Sequence, residues 1–128
     1  MSALENFKPF NFGEGVPYVS VTNNGMTFNK SVIMKMNYPS YVRLLIDEGS
    51  KRIAVQACTQ DTPNAVLFYN KEKKSNTLSV RWNGRDLLNT IQALTNWDLS
   101  QCGYRIEGDL LKEEHAMLFD LNHATVMK

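Results

Sequence analysis

Two tight turn signals, Asn23-Asn24-Gly25 and Asp47-Glu48-Gly49-Ser50, each separate stretches of strand character. Asn and Gly accept the positive φ that a tight hairpin demands, so such signals between β-type segments predict antiparallel strands. Val19-Ser20-Val21 alternates, and residues 26–28 can pair back on it. Residues 41–46 read as a strand, and 52–58 return from the second turn. Ile53, Val55 and Ala57 fall on one face there, with Arg52, Ala54 and Gln56 on the other. Between the hairpins, Asn29 is suited to cap a helix over 30–37 that collects Val32, Ile33 and Met36 on one side. Asn37-Tyr38-Pro39 ends it, because the residue before a proline avoids helical geometry.

The second half echoes this order. Ser20-Val21 and Asn24-Gly25 recur as Ser79-Val80 and Asn83-Gly84 at an offset of 59. At the same offset Val32 falls on Ile91, Asn37 on Asn96 and Tyr38 on Trp97. Leu87, Leu88, Ile91 and Leu94 predict a helix over 86–95, with Asp86 in its favourable first turn. Strands are expected at 66–69, 77–82, 103–107 and 116–121, with a charged turn at 70–76 and a longer one at 108–114. The expected layout is an irregular aromatic arm (1–18), a first unit (19–58), a connection with a charged tip (59–77) and a second unit (78–128). A unit of about 40 residues is too small to bury a core alone, so two such units are expected to share one.

At 128 residues, with 43% hydrophobic and 21% charged residues, the chain has the composition of a single globular domain. No apolar run reaches the roughly 20 residues that span a bilayer. Glu5 interrupts any signal-like start, so a cytoplasmic address and no membrane partner are expected. Cys58 reads as a buried thiol; Cys102, in a loop-like context, has no nearby histidine to activate it. His115 and His123, with Glu114 and Asp120, do not share an obvious face, and no metal is expected. Signature motifs of hydrolases, P-loop proteins and dinucleotide binders are missing from the sequence. Neither catalysis, nor a cofactor, nor a small-molecule substrate is therefore expected. Trp82 and Trp97 are expected to seal helices against the sheet rather than stack on bases.

The formal charge is only +1, so bulk charge does not point to nucleic acid. The distribution is uneven, however. Lys71, Lys73, Lys74, Arg81 and Arg85 stand against Glu72, a local +4. Residues 98–120 carry six acids against Arg105 and Lys112, a local −4. A basic stripe of this kind attracts phosphates in a salt-sensitive manner, and an arginine on a rigid turn has the fork geometry that reads guanine.

The first unit, VSVTNNGMTFNKSVIMKMNYPSYVRLLIDEGSKRIAVQ, resembles the AbrB/SpoVT-type swapped-hairpin transcription regulators. The two-unit layout is similar to that of the MraZ family. The resemblance implies an α+β, mainly β fold: two diverged strand-turn-short helix-hairpin units in a small swapped-hairpin-like barrel. It also implies a regulator that binds double-stranded DNA as a homodimer or higher homo-oligomer. The family's Gly-Arg turn corresponds to Gly84-Arg85 in the second unit, but to Gly25-Met26 in the first. Lys30 and Lys35 stand where the first short helix would carry basic contacts, whereas the second helix has none. The expected nucleic-acid contacts are Arg85, Arg81, Lys30, Lys35, Lys73 and Lys74. The alternative is a non-catalytic structural or protein-interaction module that keeps the fold without binding DNA.

Overall fold

Each alternating segment becomes a strand, and each strand finds an antiparallel neighbour. The computed structural model describes residues 3–7, 15–70 and 79–127. In chain order the elements are β1 (Tyr18–Thr22), β2 (Gly25–Phe28), α1 (Lys30–Lys35), β3 (Tyr41–Asp47), β4 (Arg52–Cys58) and β5 (Val66–Leu67). There follow β6 (Val80–Trp82), α2 (Arg85–Thr95), β7 (Gly103–Leu111), β8 (Ala116–Asp120) and β9 (Thr125–Met127). Single 3-10 turns lie at Lys112–Glu114 and Leu121–His123. The architecture is α+β and mainly β. Eight strands run in the order β5-β3-β4-β8-β7-β1-β2-β6, and β9 pairs with β7 off this path. The sheet curls through about 295° into an open half-barrel. No helix among the described residues is long and apolar enough to cross a membrane.

Inward alternation supplies the core. Val19 and Val21 of β1, Met26 and Phe28 of β2, Ile53 and Val55 of β4, Ile106 of β7 and Met117 and Phe119 of β8 are all essentially inaccessible to solvent. Both helices add to it: Val32 and Ile33 from α1, Leu88 and Ile91 from α2. The cap of α1 does two jobs. Asn29 Oδ1 accepts from the Val32 amide at 3.2 Å, satisfying a helix-terminal donor. It also accepts from the Tyr18 amide at 3.0 Å, so the start of α1 is tied to the start of β1. At the other end, Asn37 and Tyr38 take positive φ values of 64° and 54° and turn the chain out towards β3.

The open edges of the half-barrel are β5 and β6, and aromatic rings close the seam between them. Phe68, just beyond β5, lies 5.8 Å from Trp82 of β6. Phe28 touches both, at 5.4 and 4.9 Å, and reaches across the interior to Phe119 at 5.8 Å. The first three contacts are edge-on, an arrangement that suits the ring quadrupoles and adds about 0.5–1.5 kcal/mol per pair beyond area burial.

Four expectations are corrected. Residues 108–114 do not form a turn: β7 continues to Leu111, and only 112–115 reverse the chain. Gly108 is a close-approach residue within the strand, since a Cβ there would lie 2.8 Å from Met117 Cγ and 2.9 Å from Phe119 Cε1. The strand expected at 66–69 is limited to Val66–Leu67, because Phe68 turns into the core. Gly84-Arg85 does not form a turn between strands. Residues 84–87 correspond by offset to β2, but Gly84 caps α2 and helix begins at Arg85. The second half therefore passes from β6 directly into a helix, and the β1–β2 hairpin has no counterpart there. The Cys58 thiol is half-buried rather than buried. Of the charged turn expected at 70–76, residues 71–76 lie outside the described residues, and so do Phe10 and Phe12 of the arm; Phe7 is 72% exposed.

Truncating Phe28 to Ala removes the ring on which the seam converges. A loss of about 3–5 kcal/mol in unfolding free energy is expected by urea denaturation. A second expectation concerns acid. The Asn122 backbone amide and side chain both donate to Asp120, holding its carboxyl below the ordinary aspartate range; His123 and Arg52 act in the same direction. This stabilisation is present above the ordinary range and is lost as pH falls through the lowered value. Melting temperature should decline on acidification through that window, and the decline should be shallower in Asp120→Asn.

Candidate nucleic-acid interface

Because successive side chains alternate, the residues between the core positions form one outward face over β6, β2, β1 and β7. Strand register places them in a row. Arg81 pairs with Thr27, Thr27 with Ser20, and Ser20 with Arg105, which itself pairs with Thr125 of β9. Three strand spacings of about 4.8 Å separate the backbone positions of Arg81 and Arg105 by roughly 14 Å. Both arginines are exposed, while the two hydroxyl residues between them are half-buried.

Neutral groups hold both guanidinium groups of this row in place. Arg81 Nε donates to Thr27 Oγ1 at 3.2 Å. The Arg105 guanidinium lies 4.2 Å above the Tyr18 ring, a cation–π contact that stiffens the side chain without neutralising it. Among the described residues, neither arginine lies within ion-pair distance of a carboxylate. Glu107, opposite Tyr18, is the acidic residue that borders the row.

The β1–β2 turn extends this face. Gly25 adopts φ 140°, and a Cβ there would meet the Trp82 carbonyl oxygen at 2.7 Å, so only glycine lets the turn approach β6 this closely. The close approach brings Asn23 to the first residue of α2, where Arg85 Nη1 donates to Asn23 Oδ1 at 3.5 Å. Arg85 is exposed. Arg81 and Arg85 are therefore gathered on the β6 side of the turn, as their sequence proximity suggested.

The other expected contacts are placed differently. Lys30 is exposed in the first turn of α1, at the end of β2 away from the β1–β2 turn. Lys35, at the last turn of α1, lines a separate cleft with Lys112 and His115. Lys73 and Lys74 lie outside the described residues, as does Lys71. Arg105 and Tyr18 were missed. Arg105 was counted as a minority charge in an acidic segment, although its alternation with Tyr104 and Ile106 marks it as outward-facing. Only the pairing of β7 with β1 brings it to the row.

Neither tryptophan belongs to the outer face. Trp82 turns inward onto Phe28 and Phe68. Trp97 stacks on Tyr104 at 4.0 Å and 10°, packing the segment after α2 against β7. A hydrogen bond that the Tyr104 phenol donates to the Cys102 sulfur, with burial and the nearby Asp98, raises the phenol above its ordinary range. His123 lies 3.7 Å from Asp120, whereas His115 sits at the β7–β8 turn with φ 53°. Among the described residues, no group of three or more His, Cys, Asp or Glu is placed to hold a metal ion.

Comparison of the chain with protein-family models, with curated proteins and with solved structures returned no match.

Since the partners of these arginines among the described residues are neutral surface groups, removing the arginines should leave the fold intact. Arg81→Ala is expected to change unfolding free energy by no more than about 0.5 kcal/mol. Arg105→Ala should cost about 0.5–1 kcal/mol through the lost ring contact. Urea denaturation of both variants measures these changes.

Proposed function

We propose that this protein is a non-catalytic, nucleic-acid-binding domain of swapped-hairpin type, a regulator that contacts duplex DNA through the outer face of β6-β2-β1-β7. The observation that carries the reading is the Arg81-Thr27-Ser20-Arg105 row. Two arginines that have no carboxylate partner among the described residues flank a strip of hydroxyls on a curved sheet. Their roughly 14 Å separation is comparable to the about 12 Å width of the DNA major groove, so the pair can engage phosphates on both sides of it. Thr27 and Ser20 add hydrogen-bonding groups between them. Arg85, carried on the rigid junction of Gly84 and α2, is the residue best placed to reach a base edge. Lys30, exposed on α1 beyond the end of β2, adds a cation apart from the row, and Lys35 is assigned no DNA contact.

Fluorescence anisotropy with a random duplex tests this reading. Arg81→Ala and Arg105→Ala should each weaken binding and lower the slope of log affinity against log salt by about 1. Arg85→Ala should additionally flatten any preference among sequences. Unchanged affinity in the Arg81→Ala, Arg105→Ala double variant would overturn the assignment.

One observation favours a protein-interaction module instead. Val66 and Leu67 of the edge strand β5 are 44% and 53% exposed, beside a backbone edge that pairs with no further strand among the described residues. Such an edge can accept an extended peptide. In that case a Val66→Lys substitution would abolish partner capture, whereas the arginine variants would not affect it.

A further inference from the structure

The chain contains two Asn-Gly pairs, Asn24-Gly25 and Asn83-Gly84, and the fold holds them differently. Gly25 is fixed. Its φ is 140°, and a Cβ there would lie 2.7 Å from the Trp82 carbonyl oxygen, 3.2 Å from Arg81 Cγ and 3.3 Å from Asn83 Cα. Asn24 is held in the β1–β2 turn, where its amide donates to Thr22 Oγ1 at 3.1 Å and Thr22 pairs with Gly25. Gly84 is the opposite case. Its φ of −61° suits any residue, and a Cβ there meets nothing within 4 Å. It lies between the end of β6 and the first residue of α2, and its amide donates to no group among the described residues. Asn83 and Gly84 are both exposed. Neither space nor backbone conformation therefore requires a glycine at 84.

What a glycine at that position does supply is chemical. An asparagine Cγ and the backbone nitrogen of the next residue are spaced to close a five-membered ring, and intramolecular attack of this kind carries a large proximity advantage. A following glycine has no Cβ to crowd the attack, and its backbone rotates freely into it. An amide committed to no hydrogen bond also yields its proton to a solvent base more readily. At Asn24 the contacts of the tight turn resist the rotation that ring closure needs. At Asn83 the described residues provide no such restraint on the following amide.

We propose that Asn83-Gly84 is a modification site at which the chain deamidates itself in water, and that the new carboxylate lowers the anion affinity of the neighbouring arginines. The Gly84 nitrogen, its proton passed to solvent, bonds to Asn83 Cγ. The Cγ–Nδ2 bond then breaks, and ammonia leaves with a proton returned from solvent, so a succinimide ring remains. Water opens the ring at either carbonyl and leaves aspartate or isoaspartate at position 83. One water is consumed and one ammonia released, with no change of oxidation state. Position 83 stands beside the β1–β2 turn, because Asn83 Cα and Arg81 Cγ together bound the space above Gly25. Arg85 reaches the same turn through Asn23. Position 83 also precedes the first turn of α2, where the helix dipole favours a negative charge and Gly84 supplies no side-chain cap. The conversion cancels one positive charge on the β6 side of the row. The site itself is independent of the DNA-binding reading; only its effect on affinity rests on that reading.

Incubation of the intact protein at neutral pH and physiological temperature for several weeks, followed by tryptic peptide mapping, tests the site. Cleavage after Arg81 and Arg85 isolates Trp82-Asn83-Gly84-Arg85, whose mass rises as an amino group is exchanged for a hydroxyl. Conversion at Asn83 is expected to run ahead of that at Asn24, and an isoaspartyl methyltransferase should label the aged protein at position 83. Gly84→Ala, which the open space there admits, should slow the conversion about tenfold by stiffening and crowding the attacking amide. An unmodified position 83, conversion of Asn24 as fast as that of Asn83, or an undiminished rate in Gly84→Ala overturns the site. The effect on affinity is read separately, by fluorescence anisotropy with the random duplex. Asn83→Asp should weaken binding and lower the slope of log affinity against log salt by about 1. Wild-type affinity in Asn83→Asp overturns that effect. Absence of binding by the wild-type protein overturns the DNA-binding reading and the effect with it, while the peptide map decides the site alone.

Discussion

The half-barrel depends on the burial of Phe28. A curled sheet with two free edges exposes its interior along the seam, and here the hydrogen-bonded path ends at β5 on one side and β6 on the other. Among the described residues no backbone pairing bridges the gap, and side chains do so instead. Phe68 approaches from the β5 side, Trp82 comes from β6, and Phe28 lies against both. Its further contact with Phe119 on β8 ties the seam to the opposite wall. Curvature, closure and core packing thus meet at one ring. Its position is set in turn by Asn29, which links the end of β2, the start of α1 and the start of β1.

The same curvature sorts the charges. Apolar alternation directs Val19, Val21, Ile106 and Val80 inward, which obliges Ser20, Arg105 and Arg81 to face out. Because β1 and β2 lie between β6 and β7, arginines 24 residues apart in the chain become members of one row. The cleft that Lys35 and Lys112 line has a parallel origin. Lys35 and Lys112 are brought to one end only because β4 pairs with β8 and places its Cys58 end beside the β7–β8 turn.

Local features were legible where short-range physics decides them. The hairpin at Asn24-Gly25, the Asn29 cap, the β3–β4 hairpin and the apolar stripe of α2 all follow from turn chemistry and periodicity. Gly108 was misread because a glycine between strand-like stretches usually marks a turn, whereas here it makes room for Met117 and Phe119 on the neighbouring strand. The echo between the two halves lies in the residues, and the order of elements does not repeat it. At Gly84-Arg85 the spacing of Leu87, Leu88 and Ile91 favours helix over the strand that the first half makes. Strands of the two halves pair within one chain, as β2 with β6, β1 with β7 and β4 with β8. Residues of both halves thereby contribute to one core.

By itself, the sequence determined the class of fold, the tight turns, both helices and the inward residues of nearly every strand. Those depend on φ preferences, capping and side-chain period, which act over a few residues. Only the tertiary structure decided which strands are neighbours. It therefore also decided that Arg105 joins Arg81, that Lys35 joins Lys112, and that Lys30 stands apart from the row. Strand adjacency is chosen by how the whole set of apolar faces can be buried at once, and no local segment contains that information.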